Sequence, residues 1–186
     1  MSIIIKGYID DILKDVDTSI ILPKFFHWLL VDKEVGIIRY AELNCTKKSI
    51  LKVAELFQDN IDNKKLDIEK WKNAMDDYTD TWLHTKNDAG HNAALMSDRW
   101  AYLTAERCHA AYRYEAISTL DLDEIIYDAI KVNSFNYAAN ADDYKETYDC
   151  SLDASTAALE VANSCPFKKN TYKMYTDKLL ELVRSA

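Results

Sequence analysis

The stretch WAYLTAERCHAAYRYEAI, residues 100–117, decides the fold. At helical spacing, Ala101, Ala105, Cys108 and Tyr112 form one stripe, and Trp100, Leu103, Arg107, Ala110, Tyr114 and Ile117 form another. Apolar residues so nearly encircle the helix that it reads as a buried scaffold element packed among several others. Small residues let backbones approach closely, and interleaved aromatics fill the wider gaps. The same vocabulary returns in FNYAANADDYKETY, with Ala138, Ala139 and Ala141, and in LDASTAALEVANSC, with Ala154, Ala157, Ala158 and Ala162. This predicts three alanine-lined helices packed against one another.

Working outward, Ile4, Tyr8, Ile12 and Val16 recur every fourth residue and predict a first helix over 3–16. Pro23 suits the first turn of a second helix through FFHWLLV, with Gly36 as its stop. A third helix, from 38 or 46 to 61, carries Ile50, Val53, Ala54, Phe57 and Ile61 on one face. Asp67 caps a fourth, with Leu66 and Trp71 as the apolar staple, and this helix is expected to run through Met75, Tyr78 and Trp82. The polar run TKNDAGHN reads as a break, so the fifth helix is expected to start near Ser97 or Asp98. Asp121 and Glu124 fit a capping box for the sixth. That helix runs on toward Ser164, with a split expected across 133–143, and Cys165-Pro166 ends it. A last helix covers 172–183. Only IIIKGY and GIIRY hint at strands, and both are short. The chain therefore reads as all-α, a single-domain bundle of about six to eight helices over 1–186.

Composition supports this reading. Three glycines and two prolines in 186 residues fall far below the usual roughly 7% and 5%, too few for the turns of a sheet protein. A chain of this length buries enough surface to fold without a staple. The net charge of −8, from 31 acids against 23 bases, argues against direct nucleic-acid binding and for a basic partner. Cys45, Cys108, Cys150 and Cys165 are widely spaced, with no CxxC, and read as reduced core thiols of a cytoplasmic protein. Neither a signal-peptide apolar region nor a membrane span is legible.

No motif of high catalytic specificity is present, neither a Gly-rich phosphate loop nor a nucleophile elbow. His84, Asp88 and His91 fall at spacings that put metal-capable side chains along one helix face, but Gly90 interrupts them and an exposed polar connection is the simpler reading. Cys108 and His109 are adjacent, about 100° apart on a helix, and do not face each other as nucleophile and base. Arg99, Arg107 and Arg113 lie among aromatics that could stack a base, though they point about 80° and about 240° apart around one helix. The acid pairs Asp10-Asp11, Asp76-Asp77 and Asp142-Asp143 read as solvated faces or as docking surface for a basic partner. Tyr78 and Tyr144 stand beside the last two as anchors.

The succession of a Trp-containing apolar helix (FFHWLLV), YAELNC, VAELFQDNIDNKKLDIEKWKNA and RWAYLTAERCHAAY resembles the alanine-rich helical immunity protein family, over about residues 25–165. The chain is poorer in alanine than that family and richer in Asp, Lys and Asn. The resemblance implies a non-enzymatic protein, without cofactor, that binds and neutralises another protein. Partner-binding residues are then expected at Asp76, Asp77, Tyr78, Asp142, Asp143 and Tyr144, in the setting of toxin immunity or of phage-encoded inhibition of host defence. The alternative expectation is a small-molecule binder that sequesters a nucleotide signal at Arg99, Arg107 or Arg113; a metal-dependent enzyme around His84 and His91 comes third.

Overall fold

The computed structural model describes residues 2–65, 67–75, 88–113, 119–141 and 151–186. Among them, helices follow one another as α1 (Ser2–Leu13), α2 (Thr18–Val31), a 3-10 turn (Ile37–Tyr40), α3 (Asn44–Ile61), α4 (Ile68–Lys72), α5 (Ala89–Arg113), α6 (Thr119–Asn140), α7 (Ser151–Ser164) and α8 (Lys168–Arg184). No strand occurs among these residues, and both short strand-like runs are helical: IIIKGY lies in α1 and IIRY forms the 3-10 turn. The protein is an all-α multi-helix bundle.

Several helix ends follow local chemistry. Asp67 accepts the Lys70 amide at 3.0 Å and opens α4, as its position predicts. Cys165-Pro166 ends α7 at Ser164. Elsewhere packing moves the boundaries. Helix α2 begins at Thr18, where Asp17 accepts both the amide and the hydroxyl of Ser19. Pro23 therefore lies in the second turn rather than the first, and the Ser19 carbonyl forgoes its i+4 partner. The α4 helix stops at Lys72 instead of running through Met75. Asp121 and Glu124 lie inside α6, so they form no capping box.

The largest departure concerns α5, 25 residues and about 37 Å long. It begins at Ala89, well before the expected start at Ser97. Asp88 caps it by accepting the His91 amide at 2.9 Å. The polar-looking GHN is helical because its neighbours demand it: Ala89, Gly90, Asn92 and Ala93 are all buried. Ala89 and Ala93 pack with Phe135 and Ala138 of α6 and with Ala154, Ala157, Ala158 and Ala162 of α7. These are the three alanine-lined helices expected from the sequence, but α5 contributes its N-terminal alanines to the cluster. Ala101, Ala105 and Cys108 belong to the main core, with Ile21, Phe25, Phe26 and Leu29 of α2, Ile50, Val53 and Phe57 of α3 and Leu122, Ile126 and Ala129 of α6. Trp100 packs against both clusters and joins them.

The main core is rich in aromatics. Phe26 meets Phe57 at 5.3 Å between ring centroids, and Trp28 meets the fully buried Tyr175 of α8 edge-on at 6.0 Å. The Tyr175 hydroxyl accepts a hydrogen bond from Asn133 Nδ2 at 2.9 Å, which satisfies its polar tip. Burial drives the Tyr175 phenol well above the usual tyrosine range.

Candidate functional site

Helices α5 and α6 run antiparallel, as their paired side chains show. The buried Ser97 hydroxyl donates to the Val132 carbonyl at 3.0 Å, Lys131 covers Trp100, and Arg107 reaches Glu124 and Asp128. One edge of this helix pair is a charged seam. Arg107 is paired with Glu124, and its Nε lies 2.7 Å from Asp128 Oδ2. That contact is electrostatic rather than a well-aimed hydrogen bond, since Oδ2 is buried and accepts none. Lys131 Nζ donates to Asp128 Oδ1 at 3.3 Å. The same ammonium sits 3.4 Å from the centroid of the Trp100 ring and 4.5 Å from that of Tyr127.

Burial dominates the electrostatics. The Asp128 side chain is 3% exposed, and desolvation raises its pKa against the pull of Lys131 and Arg107. Desolvation likewise lowers the Lys131 pKa, with Asp128 opposing. Both shifts reflect the cost of taking charge out of water, and the cation–π contact offsets part of it, about 1–2 kcal/mol in such partly desolvated geometry. Cys108 is fully buried, and desolvation first, then the Asp128 charge, pushes its thiol above the usual cysteine range. A thiol held protonated and away from water is no nucleophile. His109 is engaged elsewhere: its ring stacks on Trp71 at 4.2 Å, with Nε2 3.0 Å from the Trp71 carbonyl oxygen.

The arginine cluster is dispersed. Arg107 is spent on two carboxylates, and Arg99, about 12 Å away along the helix axis, is engaged as well. Arg113 closes α5, and its side chain lies outside the described residues. Arg107 is 45% exposed and Glu106 and Ala110 face solvent, so α5 is buried on one side and is not encircled. Among the described residues no group of three or more His, Cys, Asp or Glu is placed to hold a metal ion. Asp88 spends its carboxylate on the helix cap, and His84 lies outside the described residues. Cys45, Cys108 and Cys165 are free thiols. No helix among the described residues is long and apolar enough to cross a membrane.

All six expected partner-binding residues, Asp76, Asp77, Tyr78, Asp142, Asp143 and Tyr144, lie outside the described residues. Tyr137, near the end of α6, and Phe167, just before α8, meet edge-on with centroids 5.9 Å apart, and they are 36% and 55% exposed. Sequence reasoning missed this pair because nothing local joins two rings that lie 30 positions apart. An open groove of about 440 Å³ lies between Trp28 and α8, where Lys173 pairs with Asp177 and Lys178 with Glu181; these alternating charges favour no single ligand sign. Comparison of the chain with protein-family models, curated proteins and solved structures finds no match.

Proposed function

We propose that this chain is a non-enzymatic protein that binds and neutralises a partner protein with a basic surface. The observation that carries the reading is the Tyr137–Phe167 pair, two large rings exposed side by side where α6 ends. In the sequence, the acids Asp142 and Asp143 and then Tyr144 follow Ala141. Exposed aromatic anchors on an acid-rich chain have the make-up of an interface hot spot that takes a basic partner. The excess of acids steers a basic partner toward it. The second acidic run, Asp76-Asp77-Tyr78, comes after α4 in the sequence with three residues between, and repeats the same composition. Toxin immunity and inhibition of host defence are the two settings this reading takes; the resemblance to the immunity protein family supports the first.

Tagged protein is used to capture its partner from the cells that make it, in parallel with Tyr137→Ala/Phe167→Ala and Asp142→Lys/Asp143→Lys variants. The double aromatic variant is expected to lose a stoichiometric partner. The charge-reversed variant is expected to associate about tenfold more slowly at low salt. The reading fails if no stoichiometric protein is recovered, or if recovery is indifferent to both variants. The nucleotide-sequestering alternative has no such support, because the Arg107 guanidinium is already held by Glu124 and Asp128.

A further inference from the structure

On the α5–α6 seam one ammonium group is held between two aromatic faces and a buried carboxylate. Lys131 Nζ lies 3.4 Å from the Trp100 centroid, 4.5 Å from the Tyr127 centroid and 3.3 Å from Asp128 Oδ1. A cation between ring faces, backed by an anion, is how proteins recognise alkylammonium groups in general. Three further observations indicate a receptor and not only a structural contact. Tyr127 is 60% exposed, so one wall of the cradle is open to water. Trp100 Nε1 is buried without a hydrogen bond, and Asp128 Oδ2, although 2.7 Å from Arg107 Nε, accepts none, so Lys131 does not exhaust what the cradle offers. Finally, Lys131 reaches the cradle on a flexible four-carbon stem and retains 26% side-chain exposure, so its ammonium can swing to solvent without moving α6. Arg107 cannot do this, because Glu124 and Asp128 both hold it.

We propose that Trp100, Tyr127 and Asp128 form an alkylammonium-recognition site that Lys131 occupies in the free protein and that a lysine side chain of the basic partner occupies on binding. The identity of the partner rests on the protein-binding reading above; the site itself does not. The acid excess of this chain favours a partner that supplies lysines.

Vacating the cradle tests the site. Lys131→Ala protein, confirmed helical by circular dichroism, is titrated with methylammonium chloride and, at matched ionic strength, with sodium chloride, following the Trp100 indole N–H resonance. Methylammonium is expected to shift that resonance saturably and sodium is not. In the wild-type protein the half-saturation point rises at least about tenfold, because the competing lysine fills the site most of the time. The proposal is overturned if methylammonium and sodium act alike on Lys131→Ala. A second measurement uses a hexalysine peptide and stands even if Lys131→Ala does not fold. Tyr127→Ala is expected to weaken its binding about fivefold relative to wild type. Equal binding to the two proteins means attraction by net charge alone and overturns the proposal. Methylammonium binding without any stoichiometric protein partner would sink the protein-binding reading and leave the site standing.

Discussion

Asp98 on α5 accepts a hydrogen bond from the Thr46 hydroxyl on α3 at 2.7 Å, and both residues are fully buried. The other carboxylate oxygen accepts the Glu42 and Leu43 amides at 2.7 and 2.8 Å. Leu43 precedes α3 and has no side-chain oxygen for a cap, so a residue more than fifty positions away satisfies the amides leading into that helix. Its charge also complements the positive end of the α3 dipole. Replacing Asp98 by Ala orphans two part-buried amides and a buried hydroxyl. The expected loss is about 3 kcal/mol or more, roughly 10 °C in Tm by thermal unfolding, with a smaller loss for Thr46→Val. An Asp98→Ala protein as stable as wild type would remove the cap from this account.

Gly36 is fixed by close approach and not by an unusual dihedral, since its φ of −61° suits any residue. A Cβ there would lie 2.5 Å from both the amide nitrogen and the carbonyl oxygen of Asp32. Backbone cannot step aside as a flexible side chain would, and Asp32 is itself tied down by accepting the Glu34 and Val35 amides on Oδ1. Gly36→Ala is therefore expected to cost about 2 kcal/mol in urea denaturation, with an unchanged m-value.

Asp128 and Lys131 are expected to be strongly coupled in a double-mutant cycle. Lys131→Met leaves a buried carboxylate with only Arg107 opposite, and Asp128→Leu leaves two cations facing an apolar side chain. Each single change should destabilise, and the double variant should lie closer to wild type than the sum of the two, with a coupling of about 1–3 kcal/mol. Additive effects in chemical denaturation would show that the pair contributes nothing beyond its members.

Helix identity was legible in the sequence wherever one face stays apolar, and so were the ends set by local chemistry, the stop at Cys165-Pro166 and the start at the Asp67 cap. Boundaries set by tertiary contact were not. Nothing local to TKNDAGHN signals that Ala89 and Ala93 will meet Phe135 and Ala158, and that burial overrides the weak propensity of Gly90 and Asn92. The seam was hidden for the same reason. Arg107 stood out as an unexplained charge, but its carboxylates lie 17 and 21 positions onward and the Trp100–Lys131 contact spans 31. Each of these pairs appears only once α5 and α6 are laid antiparallel. Glu124, read as half of a cap, is in fact the outer member of that seam.

Acid sensitivity is expected from His27 on α2, beside the aromatic core. Partial burial holds its pKa below the ordinary histidine value of 6.5. The unfolded chain therefore binds a proton near pH 6.5 that the folded chain resists, and between the two pKa values unfolding takes up protons. Stability is full above about pH 6.5 and falls as the pH drops through that window, levelling off only below the folded pKa. The carboxylates of Asp17, Asp59 and Asp62, held low by hydrogen bonds from Ser19, Lys70 and Gln58 respectively, lose their contribution only as the pH falls through and below the ordinary carboxylate range, so the two effects separate. Thermal unfolding followed from pH 8 to pH 5 should show a fall in Tm that is shallower in His27→Leu. The contribution belongs to another group if the two proteins lose stability in parallel across that range.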